Sequence, residues 1–414
     1  MTVNARLPTQ HIGADLVSAV RSEVDRLETL LVQARRDLHA HPELSWQETR
    51  TTAVIADRLR SAGIEPRLLP GSGLIADVGA PEPQQRVALR ADIDALPVPE
   101  SSGLSFASAT EGVAHACGHD VHTTAVLGAA LALKQQESEL VARGRAVRVL
   151  FQPAEEMVPG GAHHVIDHGG LDGVDQVLAV HCDPSVDVGQ VGLVTGAITS
   201  ACDRVHVTLT GKGGHTSRPH LTQDLTYALA KVVTEVPAAL SRRLDPRSGA
   251  ALVWGHVQAG HAANVVPATG EASGTLRILD VEVWERMGDL IERLVTDVVA
   301  PYGVTARTEH VRGVPPVVNS AAAVLTLRRA ASAAFGADAV VPTRQSLGGE
   351  DFSWYLGRVP GAMARLGTRT PGGRTYELHQ GDLVVDERAI TAGAKLLASA
   401  ALYHATVEDD SPLR

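Results

Sequence analysis

A chain of 414 residues that is 44% apolar has material for two or three ordinary cores, which excludes wholesale disorder. Aromatic residues make up only 3%, so Ala, Val and Leu must build those cores. The 37 basic and 47 acidic residues give a net −10 with no basic stripe, arguing against nucleic acid or an anionic membrane as partner. Three Cys at unrelated spacings make no disulfide framework. No secretory segment and no run of 18 apolar residues is visible, so a soluble, cytoplasmic protein is expected.

Val17, Val20, Val24, Leu27, Leu31, Ala34 and Leu38 recur at alternating spacings of three and four, one face of an amphipathic helix. Pro42 disfavours helical geometry at His41 and predicts its end. Leu74–Val78, Val87–Ala91, Val147–Phe151 and Gln176–Val180 read as strands, with a helical run at Thr123–Lys134 between the second and third. Apolar strands alternating with such helices predict a mostly parallel sheet flanked by helices, an α/β fold. Near residue 198 the pattern changes. Val205–Thr210, Ala251–Val257, Ala272–Leu279 and Val304–Val311 read as strands, and Leu221–Leu240 and Val281–Val299 as helices. Their order, β-α-β-β-α-β, is the ferredoxin-like arrangement. After Pro315-Pro316 the α/β alternation resumes, ending in a helix around Arg388–His404. The expected organisation is one α/β domain in two parts, 1–197 and 312–414, interrupted by an α+β insertion at 198–311.

Polar clusters sit where an open parallel sheet keeps its active site, beyond the carboxyl ends of strands. Val87–Ala91 runs into Asp92-Ile-Asp94, Val147–Phe151 into Gln152-Pro-Ala-Glu155-Glu156, and Gln176–Val180 into His181-Cys182-Asp183. His115-Ala-Cys117-Gly-His119-Asp120-Val-His122 lies just before a helix. Singly, each has a plainer reading: Cys117 as a small buried hydrophobe, the Glu pair as a solvated turn, His181 as a satisfied polar residue. Together, thiolate, imidazole and carboxylate at one sheet edge predict a site for Zn²⁺ or a similar borderline cation, not Mg²⁺ or Ca²⁺. Paired glutamates suit hydrolysis, one holding metal while its neighbour takes a proton from water. Making Cys117 the nucleophile and His119 its base would leave Glu155, Glu156 and His181 without work.

Leu38-His-Ala-His-Pro-Glu-Leu-Ser45, Arg90-Ala-Asp-Ile-Asp-Ala-Leu-Pro97, His115–Asp120 and Gln152–Glu156 resemble motifs of the aminoacylase, hippurate hydrolase and auxin-conjugate hydrolase family. These are dinuclear metal amidohydrolases related to carboxypeptidase G. The resemblance continues in order through Gly211–His220, Asn264–Pro267, Gly274–Arg277 and Gly349–Phe352, spanning roughly residues 38 to 380. It implies a zinc-exopeptidase-like catalytic domain holding two divalent ions, Zn first, with Mn, Co or Ni as alternatives. Cys117 would be shared by both ions, His119 and His181 would complete one shell, and Glu156 with His379 the other. Glu155 would be the general base and Asp94 would orient a ligand imidazole. His379 stands in a plainer context than in relatives, where a Pro or aromatic residue usually follows shortly.

The same resemblance makes the insertion a lid, also the contact surface of a homodimer or larger assembly. His215 would polarise the scissile carbonyl, sometimes in a partner subunit's site, while Asn264 and Arg277 bind substrate, with Arg277 on the α-carboxylate. The expected reaction is hydrolysis of the amide bond of a small-molecule N-acyl-L-amino acid, releasing a carboxylic acid and a free amino acid. An N-acylglutamine aminoacylase is one candidate within the family. The rivals are a dipeptidase or carboxypeptidase on the same site, and a non-catalytic amino-acid or peptide-binding protein.

Overall fold

The computed structural model describes residues 14–403. Helices α1 (Ala14–Ala40) and α2 (Thr49–Ser61) come first, followed by strands β1 (Leu74–Gly79) and β2 (Gln85–Asp92). Helix α3 (His119–Lys134) and strands β3 (Arg145–Gln152) and β4 (Gln176–Asp187) follow. Next come β5 (Ala201–Thr210), α4 (Leu225–Arg243), β6 (Ala251–Ala259), β7 (Thr269–Ile278), α5 (Met287–Val299) and β8 (Thr305–Val314). The last are α6 (Ala321–Phe335), β9 (Gly361–Arg369) and α7 (Arg388–Tyr403); His404 lies outside the described residues.

Two compact units divide the chain. The first comprises residues up to Gly196, Asn319–Thr343 and Tyr355 onward; the second is Ala197–Val318 with Arg344–Trp354. An eight-stranded sheet runs through the first, with β1, β3, β2, β4 and β9 adjacent in that order. β2 is parallel to both β3 and β4, and β9 is parallel to β4, while β1 lies antiparallel to β3. The chain therefore steps from β2 to β3 on one side, then returns past β2 to β4 on the other. Such a reversal opens a crevice at the strands' carboxyl ends.

α3 is buried from His119 to Leu133, as expected of a helix apolar nearly all round. It packs between α1 and α7. Gly128 permits this approach, because a Cβ there would lie 2.7 Å from Leu31 Cδ1 and 3.0 Å from Ala394 Cβ. Leu31 fills that crossing and is fully buried, so truncation to Ala would cost about 2–5 kcal/mol. The expected face of α1 is the one buried, with Leu27 only partly covered.

The second unit carries the antiparallel sheet β6-β7-β5-β8, with α4 and α5 packed together against it. Burial alternates along β5 and β7, the period-2 signature of a sheet covered on one face. Val205, Val207, Leu209, Leu276 and Ile278 meet Leu229, Val232, Val236, Ile291 and Val295 in its core. The ferredoxin-like element order expected from sequence is found, with two local differences. α4 starts only at Leu225, where Asp224 caps it by accepting the Tyr227 N–H. The helix expected over Val281–Val299 breaks at Arg286 into two pieces.

Candidate metal centre

Parallel register sets the floor of the site. Asp92 is level with Gln152 at the end of β3, and two residues beyond the Arg90–Ala179 pair it reaches the level of His181. The Ile93 N–H still bonds the Gln152 carbonyl at 3.0 Å, so the strand is held until Asp94 turns away. Cys117 and His119 flank Gly118, whose φ of +86° sets the turn into α3. A Cβ on Gly118 would lie 2.8 Å from Cys182 Sγ, so both the angle and the space require glycine.

Two of the imidazoles, His119 and His181, are aimed by their second nitrogens. His119 Nδ1 lies 2.9 Å from the Asp94 carbonyl oxygen and 3.2 Å from Asp94 Oδ1, which assigns its proton there and leaves the Nε2 lone pair free. That Nε2 is buried and unpaired. His181 Nδ1 donates to the Cys182 carbonyl at 2.9 Å, and its Nε2 lies 3.6 Å from Cys117 Sγ. His379 arrives from a distant loop at a φ of +62°, anchored by its N–H on the Ala116 carbonyl at 2.8 Å. Its Nε2 lies 3.2 Å from Glu156 Oε1, which is buried without an aligned hydrogen bond. Asp94 ties the pieces together, accepting from Ser45 Oγ at 2.7 Å and from the Glu156 N–H at 3.0 Å.

Two donor triads share one sulfur: Cys117 with His119 and His181, and Cys117 with Glu156 and His379, the ligand atoms of each lying within 4.8 Å of one another. Glu155 stands with His119 and Glu156 in a third such group, its Oε2 3.9 Å from His119 Nε2. The electrostatics call for positive charge. The acceptors Cys117 and then Glu156, to which the protonated ring donates, raise the His379 pKa to about 10. Burial alone would lower the His119 pKa, but Asp92, Cys117 and Asp94 carry it well above the usual imidazole range, so that without a cation a proton takes the Nε2 lone pair a cation would use. His181, lowered by burial and then by the Arg365 charge, stays neutral with a lone pair to give. Thiolate, imidazole and carboxylate atoms converging with unpaired lone pairs fit a pair of borderline divalent cations.

All five sequence-predicted ligands, with Glu155 and Asp94, thus gather at one place in the first unit. In the second unit His215 and Asn264 are neighbours. His215 pairs with Val265, and the Thr216 N–H bonds the Asn264 carbonyl at 3.1 Å. His215 Nδ1 accepts the Ser217 N–H at 3.1 Å, which puts the ring proton on Nε2. Arg277 is not beside them. It sits opposite Cys202, near the far end of β7 from the Thr269–Thr210 pair, eight residues or about 26 Å away at ~3.3 Å per residue. Among the described residues its buried Nη1 has no hydrogen-bond partner.

Sequence reasoning gives no role to Asp92, His122, Ser45 or Glu48. His122 Nδ1 bonds Asp92 Oδ1 at 2.6 Å while its Nε2 accepts the Cys182 N–H at 2.8 Å, so His122 braces the site and is not available as a ligand. Its position three residues after His119, on one helical face, was a usable signal. Glu48 lies at the start of α2, a helix that the sequence reading did not include, and is fully buried.

Fold and site together define a metal-dependent hydrolase of the zinc-exopeptidase-like α/β class. The profile of peptidase family M20/M25/M40 matches residues 88–403, and the chain belongs to that family as a metallo-amidohydrolase. It is 36% identical over 405 residues to the N-acetyl-L-cysteine deacetylase of Bacillus subtilis, covering 96% of this chain and 95% of that protein. A solved Bacillus subtilis structure, titled a dinuclear metal binding peptidase of family M20, superposes with a TM-score of 0.80 at 33% identity, covering 92% of this chain and all of that one. A Rhodococcus jostii protein named for glutamate–cysteine ligase is 49% identical over 387 residues, 93% of this chain; the chain spans only 48% of its length.

Proposed function

We propose that the chain hydrolyses the amide bond of N-acyl-L-amino acids, releasing a carboxylic acid and the free amino acid. The observation that carries this reading is the pair of donor triads sharing Cys117, with the Glu155 carboxylate beside them. A relative that deacetylates N-acetyl-L-cysteine supports the substrate class. Cys117, His119 and His181 would hold one divalent cation, and Cys117, Glu156 and His379 a second, Zn²⁺ being the natural match to this donor set. When bound, such cations supply the Lewis acidity that makes water nucleophilic near neutral pH and offsets oxyanion charge.

Glu155 takes the proton from water and later delivers it to the leaving nitrogen, which cannot depart as an amide anion. Asp94 holds His119 in the tautomer that presents Nε2. His215 donates Nε2–H to the developing oxyanion, helped by the Asn264 amide. Arg277, with an unpaired buried nitrogen, grips the substrate carboxylate. Arg277 stands near one end of β7 and the ribbon that pairs His215 with Val265 adjoins the Thr269 end, about 26 Å away along the strand, which argues that one small substrate reaches only one of the two in a single copy. The two residues therefore serve different sites, in a homodimer or larger assembly whose partner lends His215 and Asn264.

The test couples metal content to turnover on a panel of N-acyl amino acids, their amides, and unblocked dipeptides. Prolonged chelation should abolish release of amino acid, and Zn²⁺, Mn²⁺ or Co²⁺ should restore it. Full activity in metal-free protein, or a preference for unblocked dipeptides over every N-acyl substrate, would sink the proposal.

A further inference from the structure

Glu48 is a fully buried carboxylate at the start of α2 that makes no capping bond to its own helix. Its acceptors are spent elsewhere. Oε1 takes the Ala154 N–H at 2.8 Å and Oε2 takes the Ser72 hydroxyl at 2.7 Å. Ala154 immediately precedes Glu155 and has a φ of +53°, a left-handed conformation that a side chain other than glycine's resists. Such a residue persists only where its surroundings impose it. Here they do so from both sides. Glu48 holds the Ala154 N–H, and the Ala154 carbonyl accepts the Gly161 N–H at 3.0 Å. Gly161 allows this closure because a Cβ there would lie 1.9 Å from the Pro153 carbonyl oxygen. Ser72 is fixed in turn, since the next N–H, that of Gly73, bonds Thr52 Oγ1 on α2 at 2.8 Å.

We propose that Glu48 is a positioning residue for the general base, holding the Pro153–Ala154 peptide, and through it the left-handed turn at Ala154, in the one orientation that aims the Glu155 carboxylate at the metal centre. The inference rests on the reading of Glu155 as the proton-transfer group. The donors on Ala154 and Ser72 both require an acceptor at residue 48, so Ala leaves a buried N–H unpaired at a strained turn. Gln keeps one oxygen for Ala154, and the Ser72 hydroxyl can rotate to accept from its amide.

The experiment uses metal-loaded enzyme and one N-acyl amino acid substrate, comparing Glu48→Ala and Glu48→Gln, each alone and combined with Glu155→Gln. Supporting residues behind a metal site typically contribute 10- to 100-fold, so kcat of Glu48→Ala should fall by about that factor. KM and metal per chain of the loaded enzyme should stay near wild type even where the melting transition falls, and Glu48→Gln should recover most of the rate. On the Glu155→Gln background, Glu48→Ala should cost less than about twofold further, because the group it aims is already gone. Losses that multiply in full on that background, or that follow metal content, would overturn the positioning role alone. A Glu155→Gln enzyme that retains metal and turns over near the wild-type rate would instead overturn the base assignment, and this inference with it. Should Glu48→Ala fail to fold, Ser72→Ala takes its place in the same cycle, with a smaller, several-fold loss that must also vanish on Glu155→Gln.

Discussion

Glu155 and Glu156 are chain neighbours with different surroundings, and their roles separate accordingly. Glu156 faces His379 at 3.2 Å within the triad that contains Cys117. Glu155 belongs to no group that contains the sulfur and stands near His119. Glu155→Gln should therefore keep both metals and lose on the order of 10²–10⁴ in kcat, the usual contribution of a general base. Glu156→Gln should lose metal first and activity with it. Metal analysis beside steady-state kinetics checks both, and identical behaviour of the two variants would refute the division. Cys117 gives a complementary readout. A coordinated thiolate should resist alkylation and become reactive only after the metal is stripped. An acyl adduct trapped on Cys117 during turnover would revive the nucleophile reading.

The turn into α3 and the start of α7 show two ways in which an element's end decides more than the element. At Gly118 the positive φ and the 2.8 Å approach to Cys182 Sγ exclude any side chain. Gly118→Ala should destabilise the protein by about 1–3 kcal/mol and weaken metal binding, because Cys117 and His119 flank the strained position. Urea unfolding with and without metal measures both effects, and unchanged metal affinity would contradict the account. Before α7, Asp386 accepts the Arg388 N–H and side-chain N–H groups, and the Thr370 hydroxyl at 2.8 Å. The Arg388 hydrogen bond, against some burial and with help from Thr370, lowers Asp386 to about 2. Its unfolded value is near 3.9, so the stabilisation is present above about pH 4 and is lost as pH falls toward 2. Because the Arg388 side chain is 62% exposed, screening limits the contribution to about 1 kcal/mol. The stability gap between wild type and Asp386→Asn should close over that window, whereas a gap that persists at pH 2 would show that charge is not its source.

In the proposed homodimer, the placing of Arg277 near one end of β7 and of the His215–Val265 ribbon beyond the other has a consequence that activity in mixtures can read. Arg277→Ala and His215→Ala should each be nearly inactive alone. Mixed and allowed to exchange subunits, they should regain about a quarter of wild-type turnover. Half of the dimers would then be mixed, and each mixed dimer would hold one site with both functional groups intact. Inactivity of a mixture in which mixed dimers are demonstrated would show that both residues act on the same copy's substrate. Metal binding should also raise thermal stability with concentration, as for any ligand held only by the folded state.

Periodicity and local motifs made α1, α3, the first four strands and the order within the insertion legible, because side-chain spacing of 3.6 or 2 is a property of the chain itself, whereas α2, α6 and β9 were not read from the sequence. The ligands were legible for a related reason. Cys117 and His119, or Glu155 and Glu156, stand together at element ends where a parallel sheet concentrates its chemistry. The boundaries of α4 and the break at Arg286 were not legible, since an Asp224 cap and an interrupted helix depend on what the neighbouring turns leave open. Nor could sequence alone show that His379 meets Glu156. That contact depends on a loop docked through the His379 N–H on the Ala116 carbonyl and the Ser101 N–H on the Gly381 carbonyl. The tautomers of His119, His181 and His122 follow from partners that only strand register supplies. Glu48 is the clearest case. Nothing in the local sequence marks it, and only the packing of α2 against the Ser72 and Ala154 turns buries it beside the base. Spacing along the chain thus determined which elements form and which residue types stand at their ends. Which lone pairs face one another was decided by register and packing, because hydrogen-bond direction has no counterpart in one dimension.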